Sequence, residues 1–213
     1  MKNILKLTKM SLYNLNSIKK MMIWAIGFIV VAALLSDGES ESIYFVMLIN
    51  IMGYIFTYMI MAYENLSDID ILISYIPINK KDFVKSRYLL GIIGVIVGVS
   101  LYFLVHLIKS RFSINFFEFR YMLELASVGI LSTVFSMAII IPANLAFDGI
   151  KSRIISLIGF MIPISVSTAI EDIVNFTGTY IKSFSFSMIL ISFIIILVSY
   201  NISYIVYNRK ESI

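Results

Sequence analysis

The 213-residue chain has no cysteine, which excludes disulfides, thiolate metal sites and cysteine nucleophiles. Its single histidine, His106, has no second imidazole to complete a zinc site. Charged residues make up 14%, against about a quarter in an ordinary soluble domain. There are three prolines, at 77, 142 and 163, so long helices can run with few interruptions. No G-x-S-x-G, H-E-x-x-H or G-x-x-x-x-G-K-[ST] pattern occurs. Hydrolase, metalloprotease and phosphate-loop chemistry therefore have no foothold in the chain.

Apolar residues, by contrast, are abundant, at 60% with a mean hydropathy of +0.94. They fall in runs near twenty residues, the length that crosses about 30 Å of hydrocarbon. Six such runs are read, at 22–36, 43–62, 88–108, 121–145, 154–170 and 185–207. The fold class expected is an all-α polytopic membrane protein, a single transmembrane domain over 1–213 with no room for a second soluble domain. Of the 17 lysines and arginines, 13 fall on one side of these spans and four, Lys109, Arg111, Arg120 and Lys182, on the other. By the positive-inside rule both termini face the cytoplasm. The net charge of +4 is thereby a topology signal, and no nucleic-acid partner is expected.

Lys2, Lys6, Lys9, Tyr13, Asn16 and Lys20 share one helical stripe, with Ile4, Leu7, Leu15 and Ile18 opposite. This predicts a basic amphipathic helix over 1–20, lying in the inner membrane interface before the first span. It serves either as an orienting anchor or as a mechanical link to a cytoplasmic partner.

The cytoplasmic loop expected over 63–87 opens with the acidic residues Glu64, Asp68 and Asp70. The apolar Ile71-Leu72-Ile73 and Ser74-Tyr75-Ile76-Pro77 follow, then the basic Lys80, Lys81, Lys85 and Arg87. Pro77 ends any helix at Ile76, and Asn79 is a suitable cap for the next one. The residues alone leave two readings: a helix–break–helix knob for a soluble partner, or an ordinary solvated loop. Gly91, Gly94 and Gly98 give the third span a smooth side for close helix packing. Gly159 and Pro163 predict a kinked or broken fifth span. His106 and Glu124 lie near the outer ends of spans three and four and are read as packing or interfacial groups, without a metal. Residues 171–186 fit either an outer hairpin or an aromatic belt.

The stretch from Glu64 and Asp68 through Leu72-Ile73-Ser74-Tyr75-Ile76-Pro77 and Lys80-Lys81 to Val84-Lys85-Ser86-Arg87-Tyr88 resembles bacterial type-2 ABC-transporter permeases. In that family an acidic helix precedes a Leu-x-Ser-Leu-Pro-like turn, a basic pair and a Val-x-x-Lys/Arg-Tyr start to span three. Tyr75 departs from the usual Leu. Pro142 followed by Phe147-Asp148-Gly149-Ile150-Lys151-Ser152-Arg153 is similar to the family's turn between spans four and five, with Asp148 a departure.

The resemblance implies a non-enzymatic membrane subunit that pairs with a second permease chain and with a separate ATP-binding-cassette ATPase. It needs no cofactor. Glu64, Asp68, Asp70, Ile71, Ser74, Pro77, Lys80 and Lys81 would then form a coupling helix and its exit against the ATPase. Gly149, Lys151 and Arg153 would make a second contact. The small outer loops resemble exporters of amphipathic or antimicrobial peptides, such as phenol-soluble-modulin exporters, in a bacterial plasma membrane. The other class left open is a membrane sensor or peptide-immunity protein that works without ATP hydrolysis.

Overall fold

The computed structural model describes residues 2–35, 39–66, 79–112, 119–147, 150–161, 165 and 184–210. All of these except Asn79 and Phe147 are helical, and no strand occurs among them. The helices are α1 (Lys2–Leu35), α2 (Glu39–Tyr54), α3 (Ile60–Leu66), α4 (Lys80–Phe112), α5 (Phe119–Ala146), α6 (150–161) and α7 (Phe184–Lys210). A π-helical turn at Ile55–Met59 joins α2 to α3 without a break. With no water in hydrocarbon to satisfy backbone groups, long helices are the natural result of such apolar runs.

Four stretches among the described residues are long and apolar enough to cross a membrane. They are Ile43–Glu64, Lys80–Lys109, Met122–Ala146 and Phe186–Arg209, while the apolar part of α1, Met22–Leu35, is shorter. The protein is thus an all-helical, multi-pass membrane chain. The fifth expected span is described only to residue 161 and at 165, so Pro163 and most of 171–186 lie outside the described residues.

Two boundaries differ from those expected. Both ends of the stretch expected as a loop over 63–87 are helical, since α3 continues to Leu66 and α4 begins at Lys80. Asn79 caps α4: its Oδ1 accepts from Lys81 N–H at 3.0 Å and its carbonyl accepts from Asp82 N–H at 2.8 Å. The second difference is that the basic stripe and the first apolar run share one unbroken helix, α1. Its basic half packs on protein through Leu7, Thr8 and Ser11, while Lys6, Lys9, Tyr13, Asn16 and Lys20 are exposed.

Three apolar clusters stack along the bundle. At the end that carries Lys80 and Lys81, here the basic end, Leu7 packs with Met61, Phe83, Val84, Tyr88 and Leu145. Met52, Ile55, Phe56, Ile60 and Leu90 fill the middle, and Ala33, Phe45, Leu48, Tyr102 and Val105 the far end.

Small residues set the closest approaches. A Cβ on Gly98 would stand 3.0 Å from the Cα of Ile49 and 3.1 Å from its carbonyl oxygen, and one on Gly94 3.1 Å from the Met52 carbonyl. Along this line α4 therefore meets α2 backbone to backbone, which only glycine permits. Helix α7 is patterned the opposite way from a soluble helix. Ser192, Ser199 and Ser203 are buried against the bundle, whereas Phe186, Leu190, Phe193 and Leu197 are exposed. Hydrocarbon accepts the apolar side, and the hydroxyls find partners inside.

Gly98→Ala should lower stability by about 1–3 kcal/mol, because the neighbouring backbone cannot shift without strain. Gly27→Ala is the control, since a Cβ there has nothing within 4 Å, and it should be neutral or slightly stabilising. Reversible unfolding in mixed detergent micelles checks both.

Candidate functional site

A buried ion pair joins the two helices that flank residues 67–78 in the sequence. Glu64, near the end of α3, places its Oε2 2.5 Å from Nη1 of Arg87 in the second turn of α4, with the two side chains 0% and 3% exposed. Arg87 also lies over the Phe83 ring, 4.5 Å from the guanidinium carbon to the ring centre. Helix α1 grips both partners. Ser11 Oγ accepts from Arg87 Nη1 at 3.1 Å, and Asn14 Nδ2 donates to Glu64 Oε1 at 3.3 Å. Three helices thus meet on one pair of opposite charges. Removing water from two ions is costly, so such a pair persists only where added hydrogen bonds and good geometry offset that cost.

A second polar chain lies on the other flank of α4. Pro142 sits inside α5 and has no N–H, so the Ala138 carbonyl four residues earlier loses its helical donor. Ser199 Oγ of α7 donates to that carbonyl at 3.1 Å. The one hydroxyl proton of Ser199 being committed there, Tyr88 Oη donates to Ser199 Oγ at 2.5 Å and accepts from Ser203 Oγ at 2.8 Å. Tyr88 follows Arg87, so the two networks are anchored at adjacent residues of α4. Between α5 and α6, Asn144 Nδ2 donates to Ser156 Oγ at 3.0 Å and Asn144 Oδ1 accepts from Ser152 at 2.6 Å. That polar clamp fixes the start of α6 against the end of α5.

A family model described as an ABC-2 family transporter protein matches residues 6–208. The chain belongs to this family. No curated protein and no solved structure matches it. It is therefore a membrane permease of an ABC transporter, the transmembrane component of a system whose ATPase is a separate part.

Within this permease the residues expected at a partner surface divide into three groups. Lys81, Lys151 and Arg153 are exposed and Lys80 is half-buried; the Lys81 ammonium lies 5.4 Å from the Tyr204 ring centre. Asp68, Asp70, Ile71, Ser74, Pro77 and Gly149 lie outside the described residues. Glu64 differs from the expectation. Its carboxylate has no surface to offer, because it is fully buried against Arg87 and Asn14. Gly91 lies against Met137 of α5 and Thr57 of the π turn, Gly94 against Phe56 of the π turn and the Met52 carbonyl of α2, and Gly159 against Ile139 and Ile140 of α5. His106 is buried beside Phe45 and Tyr102, with ring centres 5.9 and 6.3 Å away. No group of three or more metal-ligating side chains occurs among the described residues.

Arg87, Ser11, Asn14, Ser199 and Ser203 were not singled out from sequence for these roles. Ser199 and Ser203 did carry a signal, as hydroxyls four residues apart inside an otherwise apolar helix, whereas Arg87, Ser11 and Asn14 sit among other polar residues.

Glu64→Gln should destabilise the permease by about 3–5 kcal/mol, because Arg87 would keep a buried charge without its counterion. Glu64→Leu with Arg87→Met should cost less than the two single changes added together, since neither charge is then stranded. Ser199→Ala should cost about 1 kcal/mol through the Ala138 carbonyl. Unfolding midpoints of the purified variants decide all three.

Proposed function

We propose that this permease is one half of an ATP-driven exporter in a bacterial plasma membrane, with six spans and both termini in the cytoplasm. It pairs with a second permease chain and moves amphipathic peptides or similar hydrophobic substrates outward. The segment 67–78, with Asp68, Asp70, Ile71, Ser74 and Pro77, docks on a separate ATP-binding-cassette subunit, flanked by Lys80 and Lys81. The turn with Gly149, Lys151 and Arg153 makes the second contact.

The observation that carries this reading is the Glu64–Arg87 pair at the root of that segment. A docking loop transmits force only if its base is stiff. Here a push on 67–78 meets a charge pair held by α1, α3 and α4 together, so three helices move as one body. Glu64 thus acts as a positioning residue beneath the docking surface. Thirteen lysines and arginines on the docking side favour its cytoplasmic placement. The sequence holds no phosphate loop, which favours nucleotide binding on another chain.

Affinity purification of the permease from its native host in mild detergent, followed by mass spectrometry, tests the assembly. An ATP-binding-cassette subunit should be recovered in stoichiometric amount. Asp68→Lys with Asp70→Lys should abolish its recovery while leaving permease yield and melting unchanged. Intact permease with no ATPase, or an ATPase indifferent to the double change, overturns the docking assignment and favours a sensor or immunity protein.

A further inference from the structure

The exposed stripe of α1 is cationic at a depth where neighbouring helices are apolar. Two contacts fix the depth. Ser11 meets Arg87 near the basic end, and the Lys109 ammonium donates to the Ala33 carbonyl at the far end, at 3.4 Å. From 11 to 33 on α1 is the same count of residues as from 87 to 109 on α4, so the two helices run side by side in register. Apolar contacts agree: Leu12, Met22 and Ile26 share a cluster with Leu90, Ile93, Val97 and Leu101, and Ile29 and Ala33 pack with Tyr102 and Val105. Lys20 therefore stands about 13 Å beyond the level of Arg87 at 1.5 Å per residue. Its level on α4 is that of Ile96, well inside the apolar run between Arg87 and Lys109.

One face carries Lys9, Tyr13, Asn16, Lys20, Trp24 and Val31, with Lys6 and Lys19 beside it, and all are exposed. The Lys9 ammonium lies 5.8 Å from the Tyr13 ring centre. No acidic residue precedes Asp37 in the sequence, so α1 has no counter-charge of its own. Beyond Lys20 the same face becomes wholly apolar, with Trp24 82% and Phe28 76% exposed and Leu35 at its end. An aqueous path would need polar groups along its full length. A face that is cationic towards one leaflet and apolar towards the other instead matches a lipid leaflet with anionic headgroups. Helical side chains lean towards the N-terminus, and the long lysine stem lets the ammonium reach back to a phosphate while its methylenes stay in hydrocarbon.

We propose that this stripe is a binding site for anionic phospholipid of the leaflet at the basic end. Lys6, Lys9, Lys19 and Lys20 hold the phosphate-bearing headgroups, with Tyr13 and Asn16 between them. The bilayer thins locally to meet Lys19 and Lys20. The proposal is independent of the substrate and of the direction of transport.

The chain supplies its own reporter, because Trp24, its single tryptophan, lies one turn beyond Lys20 on this face. The purified permease is reconstituted in phosphatidylcholine–phosphatidylglycerol vesicles in which one lipid or the other carries brominated chains, and Trp24 quenching is recorded. Quenching per bromolipid should be about threefold stronger for phosphatidylglycerol than for phosphatidylcholine. The preference should vanish when Lys6, Lys9, Lys19 and Lys20 are changed together to Gln, and persist when they are changed to Arg. If the fourfold Gln variant does not fold, Lys19→Gln with Lys20→Gln should at least halve the preference. Equal quenching by the two lipids overturns the proposal, as does a preference indifferent to Gln. Quenching by neither lipid also overturns it, showing that a protein partner or water covers the face.

Discussion

Hydrocarbon offers no hydrogen bonds, and every polar group inside this chain has to be answered by another part of the chain. Asn50, wholly buried in α2, shows the rule most simply. Its amide donates to Ser132 and its carbonyl oxygen accepts from Ser136 at 3.2 Å, one turn along α5. Thr57 and Thr133 turn their hydroxyls onto carbonyls four residues back in their own helices, those of Gly53 and Gly129. The Ala138 carbonyl freed by Pro142 reaches outside its helix for Ser199. The Asn50 and Ala138 solutions each tie a particular residue of one helix to a particular residue of another. Apolar contact alone gives helices freedom to slide, because lipid tails are as apolar as leucine. Polar partners therefore set the register here, and glycine sets the distance.

The same rule explains what could be read from sequence and what could not. Long apolar runs and the one-sided distribution of lysine and arginine identify a multi-pass membrane chain without any coordinates, and the motif over 64–88 carries the resemblance to a permease. Glycines spaced three and four apart in α4 mark a face built for close approach, and a Cβ on Gly98 would indeed meet Ile49 backbone. Glu64 was misleading, since a charge at the edge of an apolar run looks solvated. Only the fold brings Arg87, 23 residues later, to enclose it. The course of α1 was hidden for a related reason. Lys19-Lys20 reads as a membrane boundary, yet Ser11 and Asn14 are drawn to the ion pair and pull the basic half of α1 alongside α4. A local hydropathy reading has no access to that tertiary pull.

The π turn at Ile55–Met59 is the least legible feature, because no proline interrupts the stretch. Its use follows from geometry. In an unbroken α-helix at about 100° per residue, Asn50 and Glu64 would lie within about 40° of one face. The wider turn accommodates one extra residue, and so rotates everything after it by about 100° relative to what precedes. Asn50 can then face α5 while Glu64 faces α1 and α4, as both partners require. The turn also lies where the neighbours converge. Thr57 meets the Gly91 position, Phe56 the Gly94 position, and Tyr54 packs on Phe160 of α6 with ring centres 4.5 Å apart. A helix with two differently aimed halves is a natural hinge. Its inner half is bound by charge to α1 and α4, and its outer half by amide and hydroxyl to α5. A force applied below Glu64 therefore reaches the outer half of this helix by way of the π turn, through the glycine-lined contact with α4, or along α1, whose Ile29 and Ala33 pack with Phe45 and Leu48.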